Sequence, residues 1–479
     1  VGFMPGLSAG PRRTRVPRIT PMRPIDLPSS TPPDLAARLR RNRPSRRDAL
    51  WLFGASLVAG TLSSGLSGCA VSPVTGERIL VGMSEEQERQ IDAQQAPHQF
   101  SQDLGAVQDD EVNRYVGTVG RTLQQRTQRR DMPYSYRTLN ANYINAYTFP
   151  GGAMGVTRGI LVELQDESEL AALLGHELAH VNARHAAQRQ GQALVAQVAV
   201  VSLAAATQDS AWSPLVGLGS QLGASAMLAR YSREHEHQAD ALGQDYLVQA
   251  GYPAEGMTQL HQLLVSQHKE RPGLLETMFS SHPMSTDRMA RAQELARTQY
   301  AGSRSAPRQR ERFMDSTASL RRIRPAIQAC KNGELAMGRK ALGEAQGQFA
   351  QALKVAPRDY AAHLRMGQCL QAQGQAREAQ RHVETARAIY PQEAQAHKLA
   401  ATLHLGLRDP GAAYAALEQH DRVLPGDPGV LFLKAVSLDG MGQDRRAAEH
   451  YARFLQISRQ GEAAQFSANR LKAMGHVVR

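Results

Sequence analysis

Apolar and polar positions change period several times along the chain, and each change marks an element. Residues 1–44 have no apolar period and are rich in proline, arginine and serine, which predicts a disordered leader or an upstream extension of the reading frame, with Met22 as a candidate start. A continuous apolar run follows from Ala49 to Leu66. Ser84 to Gln95 predicts a polar amphipathic helix, and Asp109 to Arg130 another. From Tyr134 to Thr157 the period falls to two: Tyr134 to Leu139, Ile144 to Phe149 and Ala153 to Thr157 read as strands, with Pro150-Gly151-Gly152 as the turn. Asp166 with Glu169 is a capping-box-like helix start, and Leu170, Leu174, Leu178 and Val181 continue it as an apolar stripe. Ala193 to Ala206 and much of Pro214 to Leu228 are apolar but shorter than the roughly 20 residues a bilayer requires, so buried helices are expected, with a membrane-facing surface as the alternative. A further helix is expected over Tyr231 to Gly243, where Ala239 and Gly243 leave room for a neighbour. Residues 300–316 are basic, polar and proline-containing and read as a linker.

At 479 residues, with abundant alanine, glutamine and leucine and only 5% aromatics, the chain predicts two or three mainly α-helical domains. Its net charge of +12 resembles a nucleic-acid signal until it is located. Eleven arginines against Asp26, Asp34 and Asp48 put +8 in residues 1–48 and leave +4 for the rest, so no nucleic-acid partner is expected.

Ser45-Arg46-Arg47-Asp48, the apolar run and Leu66-Ser67-Gly68-Cys69 have the order of a signal peptide rather than a spanning helix. Leu-Ser-Gly-Cys resembles the bacterial lipoprotein processing box, which implies cleavage before Cys69, lipidation of Cys69 and a membrane tether facing the periplasm. Ala70 after that cysteine favours the outer membrane by the same resemblance. Ser-Arg-Arg leaves twin-arginine and ordinary export both open.

The stretch His176-Glu177-Leu178-Ala179-His180 carries the candidate chemistry. On a helix His176 and His180 lie one turn apart on one face, so both imidazoles can reach a single metal ion. Zinc suits two such nitrogens, and Glu177 beside them can take the proton of a water that zinc acidifies to a pKa of about 7. The two histidines and Glu177 border the apolar stripe, which predicts a half-buried site. In the Tyr231–Gly243 helix Glu236 could supply a third ligand and Asp240, one turn on, could orient an imidazole. On spacing alone His235 and His237 are rival ligands, although an outer, solvated face is the expectation for both. His282, between Ser281 and Pro283, could act as a transition-state donor or a fourth ligand. The strands just before the metal helix could offer an edge to an extended peptide, with Tyr147, Phe149, Gly151 and Gly152 as candidate substrate-binding residues.

Together these motifs resemble the HtpX-like and CAAX-prenyl-protease superfamily of zinc metallopeptidases, and more nearly its periplasmic BepA and LoiP-type branch. The matching residues are Asn145-Ala146-Tyr147 with Pro150-Gly151-Gly152, Val156-Thr157-Arg158-Gly159, His176 to Val181 with Arg184-His185, Ser232-Arg233, Glu236 with Ala239-Asp240, and Ser281-His282-Pro283 with Arg288. The resemblance spans roughly residues 72–295. It implies a gluzincin-type metalloprotease domain with a small β-sheet, one Zn2+ per chain held by His176, His180 and Glu236, Glu177 as general base, and Asp240 behind the ligands. His282 and Arg288 would act at the same site, His282 either capping the zinc at rest or assisting catalysis. Gln238 departs from the branch, which often has glutamate there.

Beyond residue 316, Pro357, Pro391 and Pro425 recur every 34 residues, as do Ala345, Ala379, Ala413 and Ala447, and Phe349, Val383, Leu417 and Tyr451. This period marks tetratricopeptide helix pairs stacked into a superhelix whose groove binds peptides or partner proteins. Cys330 and Cys369 could pair in an oxidising compartment. The expected organisation is therefore leader and signal peptide 1–68, lipidated cysteine and linker 69–83, zinc metalloprotease 84–299, linker 300–316 and repeat domain 317–479. The expected function is periplasmic, lipid-anchored proteolysis of unfolded or misassembled envelope proteins, with the repeats meeting outer-membrane assembly machinery. The alternative is a chaperone or scaffold whose protease is latent.

Overall fold

The computed structural model describes residues 68–195, 231–270, 282 and 286–476. The signal peptide, the apolar run beyond residue 195 with that of 214–228, and Ser281 and Pro283 lie outside the described residues. Among those described, no helix is long and apolar enough to cross a membrane.

The protease region begins with an antiparallel pair, β1 (Cys69–Val71) and β2 (Arg78–Leu80). Helix α1 (Glu85–Gln102) starts with a full capping box between Ser84 and Gln87 and runs a turn and more beyond the expected Gln95, through Pro97. Helix α2 (Asp110–Gln124), capped by Asp109, stops short of the expected Arg130. Three strands follow as expected: β3 (Ser135–Leu139), β4 (Ala146–Thr148) and β5 (Ala153–Thr157). They order β3-β5-β4, with β3 parallel and β4 antiparallel to β5. Because β5 is the middle strand, only β4 can present the edge expected over Tyr147–Thr157.

The sheet is apolar on both faces for a reason visible in its neighbours. Ile91, Ala96 and Phe100 of α1 pack on Leu139, Tyr147, Phe149 and Ala153. Ala146, Met154 and Val156 on the other face pack into the main core with Leu170, Leu174 and Leu178. Those leucines belong to α4 (Glu167–Asn182), preceded by the short α3 (Arg158–Leu161). The side chain of Asp166 accepts from Glu169 N–H at 3.2 Å, and Glu169 reaches back to Gln165 N–H at 2.6 Å. Every residue of α4 is buried, so the site is deeper than the half-buried setting its sequence predicts. The added cover comes from α5 (Arg233–Gln249), α6 (Glu255–Glu270) and α7 (Thr286–Arg297). Helices α4 and α5 cross at Gly175 and Gly243, where a Cβ on Gly175 would stand 2.9 Å from Gly243 O.

The expected linker is only partly one. Residues 310–322 form α8 (Arg310–Ser316) and α9 (Ala318–Arg322), and Phe313 and Leu320 join the protease core. Arg312 forks onto the buried Glu167 at the start of α4, which also accepts from Tyr115 and Tyr252. The basic composition thus serves a carboxylate that the sequence pattern does not mark as buried.

Helices α10 (Arg324–Gly338) to α18 (Glu462–Ala473) form the repeat array. Its inner members are α11 (Leu342–Val355), α12 (Tyr360–Ala372), α13 (Ala376–Ile389), α14 (Ala394–Gly406), α15 (Pro410–Val423), α16 (Pro428–Gly440) and α17 (Asp444–Ile457). The periodic alanines and their partners Phe349, Val383, Leu417 and Tyr451 are all 0% exposed, and the three prolines lie in the turns. Cys330 and Cys369 are buried and free, and the pairing that the sequence leaves open is not formed.

Candidate metal centre

Helical periodicity places His176 and His180 on one face of α4, and their Nε2 atoms approach to 3.1 Å. Glu236, carried in by the glycine crossing of α5, puts Oε1 3.5 Å from His180 Nε2 and Oε2 3.6 Å from His176 Nε2. His282 closes the cluster, its Nδ1 lying 3.0 Å from Glu236 Oε1 and 3.3 Å from His176 Nε2. All four residues are buried and offer ligand atoms within 4.8 Å of one another. Three imidazole nitrogens and a carboxylate oxygen converge in a buried place, the kind of ligand set that holds a divalent cation. Glu177 stands beside them, 1% exposed, and neither of its carboxylate oxygens has a hydrogen-bond partner. The residues present therefore fit a divalent metal with an adjacent base.

Electrostatics follow burial and neighbours. Burial pushes the Glu177 carboxyl above the usual carboxylate range, with His282 and His176 opposing. Burial, aided by His176 and His185, holds His180 well below an ordinary imidazole and keeps it neutral, as a ligand must be. For Glu236 burial alone would raise the carboxyl, but His282, His176 and Arg288 outweigh it and hold it at about 2. His282 is raised because Glu236 and Glu177 outweigh its burial.

Behind the cluster, Asp240 Oδ1 lies 3.0 Å from His176 Nδ1. Arg288 forks onto Asp240 at 2.6 and 2.7 Å and reaches Glu236 Oε2 at 2.6 Å with Nη1. Burial would raise Asp240, but His261 and Arg288 outweigh it and hold it well below the carboxylate range.

The structure thus brings together His176, Glu177, His180, Glu236, Asp240, His282 and Arg288. It does not bring the side chains of Tyr147 or Phe149 there: both are buried with α1, Tyr147 donating to Asp103 at 2.5 Å. Gly151 and Gly152 are held in the turn, where Gly151 N–H donates to Asp92 at 2.7 Å and Gly152 has φ of +100°. His235, expected on a solvated face, is only 8% exposed and stacks on His185 at 4.3 Å; His237 stays half-buried outside the cluster. Three participants had no assigned role in the sequence pattern. His261, from α6, puts Nε2 3.4 Å from Asp240 Oδ2. Tyr231 stacks on His180 at 3.9 Å. His185 puts Nδ1 2.8 Å from His180 Nδ1. A lone histidine in a helix carries no signal of this kind, and only the Arg184-His185 match pointed towards one of them.

Residues 110–296 match the model of peptidase family M48, and residues 336–403 that of a tetratricopeptide repeat. The chain carries an M48 metallopeptidase domain followed by tetratricopeptide repeats. It is 26% identical over 257 residues to the beta-barrel assembly-enhancing protease of Yersinia pestis, covering 51% of this chain and 52% of that protein. It is 32% identical over 164 residues to metalloprotease YcaL of Escherichia coli (33% of this chain, 59% of that protein) and 28% identical over 159 residues to metalloprotease LoiP of the same organism (33% and 60%). These relatives support the BepA and LoiP-type branch. The chain spans about half the length of the curated relatives it matches.

Proposed function

We propose that the chain is a zinc-dependent endopeptidase of the bacterial periplasm that degrades misfolded or stalled envelope proteins, tethered by lipid on Cys69 to the outer membrane. The observation that carries this reading is the convergence of His176, His180 and Glu236 beside the Glu177 carboxylate, which accepts no hydrogen bond and has His282 Nε2 at 3.7 Å. Bound there, zinc would supply Lewis-acid polarisation of a peptide carbonyl and a water of near-neutral acidity. Glu177 is placed to act as the base: it would take a proton from the attacking water as the water oxygen bonds to the peptide carbonyl carbon, and would return it to the amine nitrogen as the C–N bond breaks. Arg288 and Asp240 hold Glu236 and His176 in register.

The outer edge of β4 supports strand addition by a client. Phe149 N–H donates to Ala153 O at 2.9 Å and Thr157 N–H to Asn145 O at 3.0 Å. By alternation Tyr147 also bonds to β5, so the backbone groups of Ala146 and Thr148 point to the other side, where an extended peptide would pair. Both residues are buried, so a client needs the edge uncovered first. The repeats would hold clients or outer-membrane assembly machinery, in keeping with the beta-barrel assembly-enhancing protease of Yersinia pestis among the relatives. Exposure of Cys69 and its place in a short hairpin suit a tether.

One observation favours a second reading, a latent protease acting mainly as chaperone or scaffold. His282 occupies the fourth position of the cluster, which in an active site belongs to water or substrate. Glu177→Gln separates the two readings. Cleavage of an unfolded outer-membrane β-barrel precursor by the purified chain should be abolished with zinc content unchanged, and complementation in cells lacking the gene should fail. Complementation that survives the substitution makes proteolysis secondary.

A further inference from the structure

His180 and His185 face each other through Nδ1 at 2.8 Å, and the far nitrogen of His185, Nε2, lies 2.8 Å from Gln238 Oε1. A neutral imidazole has one N–H and one lone pair, so two ring nitrogens this close need one donor and one acceptor. An amide oxygen only accepts. Gln238 Oε1 therefore requires the N–H of His185 on Nε2, which leaves a lone pair on His185 Nδ1. That lone pair requires the N–H of His180 on Nδ1, which leaves a lone pair on His180 Nε2, the nitrogen turned towards His176 and Glu236. The opposite polarity would end with an N–H aimed into the ligand cluster, where no cation could be held.

The position of His185 is built, not incidental. In an unbroken helix five residues turn the chain by about 500°, which would aim residue 185 about 140° away from His180. Instead α4 ends at Asn182 with Ala183 as its C-cap, Arg184 takes a left-handed φ of 58°, and the helical chain resumes at His185. A non-glycine residue in that conformation is strained, because its Cβ crowds the following carbonyl oxygen. The Arg184 guanidinium is tied down by Glu88 at 2.8 Å and by Met83 O at 2.9 Å, and Glu88 is held in turn by Arg129 at 2.6 Å. The buried ion network of α1 thus holds the break that returns His185 to His180.

We propose that Gln238 and His185 are positioning residues, a hydrogen-bond relay that fixes His180 in the Nδ1–H tautomer and frees its Nε2 for metal. The inference rests on the metal-site reading above. Because the relay ends in an amide, it sets polarity without adding charge. Histidine-15N NMR of the full chain stripped of metal reads the tautomer directly, and chelator competition reads zinc affinity. His180 should be Nδ1–H in the wild type and in Gln238→Glu. In Gln238→Met the fixed tautomer should be lost and zinc affinity should fall about 10- to 100-fold; Gln238→Glu should restore it. Gln238→Lys, which can only donate, should weaken zinc binding at least as far. An unchanged tautomer with less than about threefold loss in folded Gln238→Met or Gln238→Lys overturns the relay. A wild-type chain with no zinc sensitive to His176→Ala defeats the metal reading instead, and the tautomer in the metal-free chain then still decides the relay.

Discussion

Glu177 is a buried carboxylate with neither oxygen hydrogen-bonded, at a cost to the fold of about 1–3 kcal/mol. Glu177→Leu should therefore raise the denaturation midpoint of the metal-free chain by that order while abolishing peptide cleavage; a lowered midpoint would mean that the carboxylate has a stabilising partner. His282 sits among the ligands at 3.0 to 3.3 Å from Glu236 and His176. His282→Ala should raise cleavage of an unfolded client and autolysis if the residue caps the metal, and a fall in turnover would assign it to catalysis instead. That His176, His180, Glu236 and Glu177 come together was legible because one helical turn separates His176 from His180 and the motif order narrowed the rest. His261 and His185 were not, because one arrives from a distant helix and the other depends on a left-handed arginine that no propensity foretells.

At the scale of elements, the site depends on how closely α4 and α5 can approach. A Cβ on Gly243 would stand 2.8 Å from His176 N and 2.9 Å from Gly175 C, both backbone atoms that cannot swing away. Gly243→Ala should cost about 1–3 kcal/mol in chemical denaturation and weaken zinc binding, since it separates His176 from Glu236. Unchanged zinc affinity would show that the crossing is not what sets the ligand spacing. Small residues at Ala239 and Gly243 made this crossing readable. Strand positions were also readable from alternation, but their order was not: that β5 lies in the middle follows from a parallel pairing with β3 that no local pattern encodes. The helices after residue 309 were read as linker because what orders them lies far away in sequence: Arg312 reaches across to the buried Glu167, and Phe313 is buried in the protease core.

Across the whole molecule, Ser67–Arg479 forms one compact unit, and the repeat array is locked to the protease by polar contacts as well as apolar ones. Arg158, the first residue of α3, is fully buried and forks onto Asp359 at 2.5 and 3.0 Å, while Asp359 also caps α12 through Ala362 N–H at 2.8 Å. Ser101 of α1 donates to Glu393 at 2.5 Å, and Leu104 enters the core of the array. The 34-residue period foretold the array but not this docking, since Arg158 and Asp359 are 201 residues apart. Asp359→Asn leaves Arg158 buried without its counter-charge and should cost about 3–5 kcal/mol near neutral pH. Burial alone would raise the Asp359 carboxyl, but Arg158 outweighs it and holds it below the usual aspartate range. Its stabilising contribution is thus present above about pH 4 and is lost as pH falls through the lower, folded value. The gap between wild type and Asp359→Asn should narrow on acidification below that point, and a gap that stays constant would place the stabilisation elsewhere.

Whether His176, His180 and Glu236 hold a metal is decided by elemental analysis of the purified chain beside His176→Ala. About one zinc per chain, lost in His176→Ala, is the predicted result; no zinc in the wild type, or zinc that survives the substitution, would contradict it.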